Sequence, residues 1–101
     1  MRYHVIGEED AVLGFRFAGV PGEIVQTAEE ARSALGRAVA DPGITIIIVT
    51  DVVADLIRPE VHQVRFGRAL PLLVEVPGPR GPSPQRRDLL SLIREAVGVR
   101  V

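Results

Sequence analysis

The chain has 101 residues, of which 47% are hydrophobic and 25% are charged, and its formal net charge is −1. This length fits one domain that buries roughly two-thirds of the surface of its unfolded chain. Cysteine is absent, which excludes disulfide bonds, thiolate metal sites and thiol catalysis. All 12 basic residues are Arg, so Schiff-base chemistry and a Walker-type phosphate-binding lysine are excluded as well.

The sequence also bears on where the protein works. Residues 1–7 lack the long apolar segment of a signal peptide. The most hydrophobic run, Ile44–Val49, has six residues, whereas a membrane-spanning helix needs about 20. We therefore expect a cytoplasmic protein with no direct membrane span, whose membrane association would come through a partner.

The first part of the chain predicts two strands separated by a helix. A short apolar strand spans Tyr3–Ile6, and apolar residues at three- and four-residue spacing predict a helix over Asp10–Ala18. These apolar residues are Val12, Leu13, Phe15 and Phe17. A second strand, Glu23–Gln26, is more polar than the first and is therefore expected at an edge of the sheet.

The clearest helix begins after Thr27, a natural N-cap, and Glu30 three residues later completes a capping box. Its apolar residues are Ala28, Ala31, Leu35, Ala38 and Val39, and the turn Asp41-Pro42-Gly43 ends it. The strand that follows, Ile44–Val49, is an almost unbroken run of β-branched residues. Such a run is typical of a central parallel strand that is covered on both faces.

A broken helix and a fourth strand follow. The helix that starts at Val52 is interrupted by Pro59, and a second helical piece continues to Phe66. The fourth strand, Leu70–Val76, has Pro71 near its start. Proline cannot donate to a strand ladder, so this position indicates an edge strand.

These elements predict a single α/β domain in three segments. Residues 1–76 form the core, residues 77–84 form a hinge loop rich in Pro and Gly, and residues 85–101 form a helix and tail of the same domain. The apolar residues of that helix, over residues 85–97, are Leu89, Leu90, Ile93, Ala96 and Val97. Alternating strands and helices predict a four-stranded parallel sheet of order 2-1-3-4 with helices on both faces. This layout is flavodoxin-like or receiver-like, with one strand fewer.

The carboxyl ends of the strands are where open α/β sheets bind ligands. Glu8, Glu9 and Asp10 follow the first strand, and Asp51 follows the third. Two interpretations arise. The carboxylates could hold Mg²⁺ and accept a phosphoryl group, or Asp10 and Asp51 could simply cap the helices after them. The second is favoured, because the lysine that a receiver uses to hold phosphoryl oxygens is missing.

Other sites are not predicted. Neither a G-x-G-x-x-G motif after the first strand nor a P-loop is present, and no serine lies in a nucleophile elbow. His4 is interpreted as a hydrogen-bonded strand residue and His62 as a surface helix residue. We therefore predict no catalytic residue, no cofactor and no metal site.

Charge is distributed unevenly along the chain. Residues 1–57 hold 4 Arg and 9 acidic residues, whereas residues 58–101 hold 8 Arg and 4 acidic residues. Few aromatic residues accompany the basic half, which argues against nucleic acid as its partner. An acidic protein surface fits better, because Arg pairs with carboxylates in a bidentate geometry. The alternative is an ordinary solvated face.

The ordered set of motifs resembles the F subunit of V-type and archaeal-type (A-type) ATP synthases. The resemblance is carried by segments His4–Val20, Thr27–Ala31, Ile46–Asp51, Leu70–Gly78 and Ala96–Val99. In the family, the first of these segments holds a strand ending in Ile-Gly, an acidic turn and a helix of the form Gly-Phe-[basic]-Leu-Ala-Gly. Phe17 stands where Leu is usual in the family, and Asp51 where Glu is common.

The resemblance implies a non-catalytic component of the central stalk, or rotor. Such a component binds the long coiled coil of the D subunit, between the catalytic A/B hexamer and the adaptor of the membrane ring. The rotary complex couples ATP synthesis or hydrolysis to proton or sodium transport. The protein would then lie in the cytoplasm, peripheral to the cell membrane through the complex, without cofactors or nucleic acid.

Charge asymmetry and the hinged last helix together predict a partner-binding face. Its residues are Arg65, Arg68, Arg87, Leu90, Arg94 and Val97. Two alternatives to a rotor component stay open. One is a degenerate receiver-like interaction or regulatory module that would take a phosphate on Asp51. The other is a small enzyme that would use Mg²⁺ near Glu8 and Asp51.

Overall fold

The computed structural model of the chain describes residues 2–67 and 69–78. Strands and helices alternate along these residues. The strands are β1 (Arg2–Gly7), β2 (Gly22–Ile24), β3 (Ile44–Thr50) and β4 (Leu72–Val76). The helices are α1 (Glu9–Phe17), α2 (Ala28–Ala40), α3 (Asp51–Leu56) and α4 (Arg58–Gly67). The predicted hinge loop beyond Gly78 and the predicted helix over residues 85–97 lie outside the described residues.

All strand pairs are parallel, and the order β2-β1-β3-β4 confirms the predicted sheet. Ile6 on β1 pairs with Glu23 on β2 and with Val49 on β3. On the other side of β3, Ile48 pairs with Val74 of β4. The polar β2 and the proline-preceded β4 are therefore the edge strands, as their sequences predict.

The larger core lies between the sheet and helices α2, α3 and α4. Its buried residues are Ile6, Val25, Ala31, Ala34, Leu35, Ala38, Ile44, Ile47, Val49, Val53, Ala54, Ile57, Val61 and Leu73. Small alanines on α2 let that helix lie close to the sheet, while β-branched residues of β3 fill the space between them. This packing explains why the β-branched run must be a central strand.

A smaller core lies on the opposite face of the sheet, under α1. Val5, Val12 and Ile48 are buried there, with Phe15 partly buried against them. The predicted helix is confirmed, but its other apolar pair is not buried. Leu13 is half-exposed and Phe17 is 94% exposed. Only one apolar edge of this nine-residue helix can reach the sheet.

The bounds of β2 and β4 differ most from the predictions. β2 begins at Gly22, which pairs with Val5, and ends at Ile24, before the predicted Gln26. Gln26 leaves the sheet because its backbone N–H donates to Glu30 Oε1 at 2.8 Å. β4 begins at Leu72, after a proline that has no N–H to donate to the ladder.

The capping box at the start of α2 forms largely as predicted. Thr27 Oγ1 accepts a hydrogen bond from the Glu30 N–H at 3.1 Å. The Glu30 carboxylate reaches back to Gln26, one residue before the N-cap. The break between α3 and α4 is also confirmed, since α3 ends at Leu56 and Pro59 lies in the first turn of α4.

Two glycines should respond to alanine in opposite ways. A Cβ on Gly22 would overlap Val5 Cγ1 and the Val5 carbonyl oxygen, whereas a Cβ on Gly36 meets nothing within 4 Å. We expect Gly22→Ala to destabilise the fold by about 1–3 kcal/mol, because β2 must move away from β1. The matched helix substitution Gly36→Ala should stabilise it by about 0.5–1 kcal/mol. Urea unfolding measures both, and equal effects would contradict the β1–β2 register.

Asp41, at the end of α2, should contribute to stability in a pH-dependent way. Its carboxylate accepts from the Gly43 N–H and from Arg2 Nη2, each at 2.8 Å. The Gly43 hydrogen bond, with Arg2 second, holds the pKa of Asp41 below its ordinary value of 3.8. A lowered pKa favours the charged folded form, so this contribution is complete above pH 3.8 and is lost as the pH falls through the lowered value.

The substitution Asp41→Asn tests this linkage. We expect the variant to be less stable than the wild type at neutral pH, and the difference to shrink as the pH falls below 3.8. Urea unfolding of both proteins across this pH range gives the difference between their free energies of unfolding. The titration of the other carboxylates, which both proteins share, cancels in this difference. A difference that stays constant with pH would contradict the role given to Asp41.

Candidate functional site at the carboxyl edge of the sheet

The two central strands end side by side at the carboxyl edge. The Thr50 hydroxyl donates to Glu8 Oε1, which links the end of β3 to the residue after β1. A Cβ on Gly7 would lie 2.7 Å from Thr50 Cγ2. Gly7 therefore allows β1 and β3 to approach closely enough for this hydrogen bond.

Thr50, and not Asp51, caps the helix after β3. Thr50 Oγ1 accepts from the Val53 N–H at 3.4 Å, so the predicted cap at Asp51 is wrong. Because β3 extends through Thr50, that residue occupies the junction between strand and helix, and Asp51 is already helical. Asp10 is not a cap either, since α1 starts from Glu8 without a side-chain cap hydrogen bond.

Asp51 connects the edge to the end of the described chain. Its side chain is buried, with 1% of the residue exposed. Asp51 Oδ1 accepts from the Gly78 N–H at 3.4 Å, which attaches the segment after β4 to the start of α3. A Cβ on Gly78 would lie 2.7 Å from Glu8 Oε2, so all three segments converge here.

These contacts determine what the edge can do chemically. Glu8 is held by Thr50, and Asp51 is held by Gly78 and lies away from solvent. Over residues 2–67 and 69–78, no three His, Asp or Glu side chains are grouped closely enough to hold a metal ion. The carboxylates of this edge serve to join β1, β3 and the segment after β4.

The two histidines lie where the sequence predicts. His4 Nε2 lies 3.4 Å from Glu23 Oε2, and the other oxygen of Glu23 accepts from Arg37 Nη2 at 2.7 Å. These contacts connect β1, β2 and α2. His62 is exposed on α4 and stacks on Phe66, with ring centroids 5.6 Å apart. Both interpretations from the sequence are confirmed.

A second charged cluster, which the sequence did not predict, joins α4 to β4. Glu75 Oε2 accepts from Arg58 Nη1 at 2.6 Å and from Arg65 Nη2 at 3.0 Å. The Glu75 side chain is 8% exposed. Arg58 also pairs with Asp55. The hydrogen bond to Glu75 raises the pKa of Arg58, so this guanidinium stays charged.

Two features of the sequence could have indicated this cluster. Glu75 is the one charged residue in the apolar strand Leu72–Val76. Arg58 and Arg65 are seven residues apart, which places them on the same side of a helix. A buried carboxylate needs a charged partner, and two guanidinium groups two helical turns apart can both reach one carboxylate.

The predicted partner-binding residues are only partly described. Arg65 lies on α4 and contacts Glu75, with its side chain 32% exposed. The other predicted residues are Arg68, Arg87, Leu90, Arg94 and Val97, and they lie outside the described residues. The role of all six in partner binding stays a prediction.

The fold and the carboxyl edge of the sheet together define the class of protein. It is a single α/β domain with a four-stranded parallel sheet, whose carboxyl edge is joined by its own side chains. None of the helices in the described part of the chain is both long and apolar enough to cross a membrane.

Comparison with known proteins gives the family. The model of the family described as ATP synthase (F/14-kDa) subunit matches residues 4–93, so the chain belongs to this family. It is 38% identical over 97 residues to the F subunit of the A-type ATP synthase of Methanothermobacter thermautotrophicus, covering 94% of this chain and 91% of that protein. It is 34% identical over 101 residues to the corresponding F subunit of Methanococcus maripaludis, covering 98% and 97% respectively. The resemblance noted from the sequence is confirmed.

Replacing Glu75 tests its part in holding α4 on β4. We expect Glu75→Gln to destabilise the fold by about 1–2 kcal/mol, because two arginines lose a charged acceptor that is largely shielded from water. Glu29→Gln, at an exposed position in the first turn of α2, removes the same charge and should cost less than about 0.5 kcal/mol. Urea unfolding measures the loss of stability in both variants. Equal losses would show that the cluster contributes nothing to stability beyond net charge.

Proposed function

We propose that this chain is a non-catalytic component of the central stalk of an A-type or V-type rotary ATP synthase. In this role it binds the coiled coil of the D subunit and helps to couple ATP synthesis or hydrolysis to proton or sodium transport. The observation that carries the proposal is similarity along nearly the whole chain to F subunits of A-type ATP synthases. A rotor component needs a stiff domain and a binding face, and it needs no nucleophile or nucleotide loop.

The geometry of the carboxyl edge supports the absence of catalysis. A receiver-type acceptor aspartate must be reachable by a phosphate donor, whereas Asp51 is buried and hydrogen-bonded to the Gly78 N–H. Glu8, its neighbour, is engaged by the Thr50 hydroxyl. Phosphoryl transfer to Asp51 would require these contacts to open first, so the degenerate-receiver and small-enzyme alternatives are both disfavoured.

We place the partner-binding face on the predicted last helix. Arg87, Leu90, Arg94 and Val97 combine guanidinium groups with apolar side chains, a combination that suits an acidic coiled coil. Arg65 is a lesser candidate because it already pairs with Glu75. Arg68, three residues later in the sequence, is a lesser candidate as well. In the complex, the protein would lie in the cytoplasm between the A/B hexamer and the adaptor of the membrane ring.

Reversing charge on that face should weaken binding to the D subunit. We expect Arg87→Glu and Arg94→Glu each to reduce co-purification with a tagged coiled coil of the D subunit, because attraction to acidic residues becomes repulsion. Arg16→Glu makes the same change of charge at the exposed end of α1 and should leave co-purification unchanged. Titration of the chain with the coiled coil at two salt concentrations measures the electrostatic share of the binding free energy.

Two outcomes would contradict parts of the proposal. Undiminished binding of both variants would remove Arg87 and Arg94 from the face. A chain that fails to bind the coiled coil at all, yet forms a stable phosphate on Asp51 when incubated with acetyl phosphate, would favour the receiver-like regulatory module.

A further inference from the structure

β2 has one unpaired edge in the described part of the chain. Over residues 2–67 and 69–78, this strand pairs with β1 on one side and with no strand on the other. The Val25 N–H, just after β2, donates to the Gly7 carbonyl of β1 at 3.0 Å. Successive residues of a strand point their backbone groups in alternate directions. The N–H and C=O groups of Gly22 and Ile24 therefore point away from β1 and form the outer edge of the sheet.

The two faces of the sheet differ along this edge. Gly22 pairs with Val5 of the smaller core, so Ile24, two residues later, projects from the same face, which α1 covers. Glu23 pairs with Ile6 of the larger core and projects from the opposite face, which α2 covers. A strand added at this edge would place alternate side chains beside α1 and beside α2.

The side chains on the α1 face of this edge are apolar and exposed. Leu13 is 39%, Phe17 is 94% and Ile24 is 40% exposed. Ala11 lines a cavity shared by α1 and the segment after β4, whereas Leu13 and Phe17 lie on the other side of the helix, towards β2. Leu13, Phe17 and Ile24 together form the α1 patch, which suits apolar side chains of a partner.

The side chains on the α2 face of this edge are predominantly acidic. A cavity of about 340 Å³, the α2 cavity, lies between the end of β2 and the start of α2, and Glu23, Glu29, Glu30 and Arg37 are among its lining residues. Three carboxylates therefore accompany one guanidinium group. Residues 1–78 as a whole hold 7 Arg and 11 acidic residues. Both the cavity and the domain around it should attract cationic side chains.

We propose that the edge of β2 binds an extended segment of a partner protein in which apolar and basic side chains alternate. The segment would extend the sheet by one strand, with its apolar side chains on the α1 patch and its basic side chains in the α2 cavity. The outward N–H and C=O groups of Gly22 and Ile24 provide up to about four backbone hydrogen bonds. This inference goes beyond the function proposed above and does not depend on it.

Charge favours a partner protein over a second copy of this chain. Pairing of β2 with β2 of a second copy would bring two α2 cavities together, each lined by three carboxylates, and like charges at an interface repel. A basic segment instead neutralises this charge. Because β2 has only three residues, backbone pairing alone gives little affinity, and contacts with the patch and the cavity supply the rest.

Hydrogen exchange of the isotope-labelled full chain, followed by NMR, tests the proposal. The probe is a synthetic peptide of about nine residues in which Val and Arg alternate. At saturation we expect exchange of the Gly22 and Ile24 amide protons to slow by about tenfold or more, because both become hydrogen-bonded. The Val25 amide already bonds to Gly7 and should slow much less. A peptide with Glu in place of each Arg should give no such protection.

Two substitutions with matched controls separate the contacts. Ile24→Pro removes an outward N–H and should weaken peptide binding by about tenfold or more, whereas Ile24→Ala keeps this N–H and should weaken binding less. Phe17→Ser truncates the α1 patch and should weaken binding by about three- to tenfold. Phe66→Ser makes the same change at an exposed position of α4 and should have no effect. The two Phe variants decide the matter even if Ile24→Pro does not fold.

Several outcomes would overturn the proposal. Unchanged exchange of Gly22 and Ile24 with the Val/Arg peptide, or equal protection by the Val/Glu peptide, would show that the edge does not bind such a segment. Equal affinities of the Phe17→Ser and Phe66→Ser variants would remove the α1 patch from the contact.

Slow exchange of Gly22 and Ile24 in the free chain would show that the edge is already occupied. Protection that is independent of protein concentration would assign the edge to another part of the same chain, and protection that grows with concentration would assign it to a second copy. These experiments do not involve the coiled coil of the D subunit, so their failure leaves the proposed function untouched.

Discussion

The structure depends on the parallel pairing of β1 with β3. These are the two central strands, and they bury residues on both faces of the sheet. Val5 and Ile48 belong to the smaller core, and Ile6, Ile47 and Val49 belong to the larger core. β2 and β4 each add to one side of this pair. Helices α2 and α3 contribute residues to the larger core, so their positions follow from the central pair as well.

The same pairing forms the candidate site and also engages its polar side chains in hydrogen bonds within the protein. Because the two central strands end together, Glu8 and Thr50 are brought into hydrogen-bonding contact. In an open α/β sheet this edge is where ligands bind, yet here polar side chains satisfy one another and hold the segment after β4 through Gly78. Polar residues at a carboxyl edge are therefore not by themselves evidence of catalysis, since the same residue types can join strands and neighbouring segments to one another.

Much of the fold could be predicted from the sequence, because its strongest patterns are local. The capping box at Thr27 and the β-branched run of β3 predict their elements directly, and alternation of the two kinds of element predicts the sheet order. The end of β2 was not predicted from its composition, since the Gln26 N–H donates to Glu30 instead of continuing the ladder. The cap at Thr50 could not be predicted because β3 extends through Thr50 by pairing with Val76 of β4, a contact between residues distant in the chain. The cluster around Glu75 was missed for the same reason, since its members are 10 and 17 residues apart in the chain.

The arrangement around Glu75 has a mechanical consequence. One carboxylate on an edge strand receives guanidinium groups from the beginning and from the third turn of α4, so the helix is fastened at two separated points along its length. Sliding of α4 along the strand would lengthen at least one of these two ion pairs, because both end on the same oxygen, Glu75 Oε2. This corner of the domain should accordingly transmit load as a rigid body.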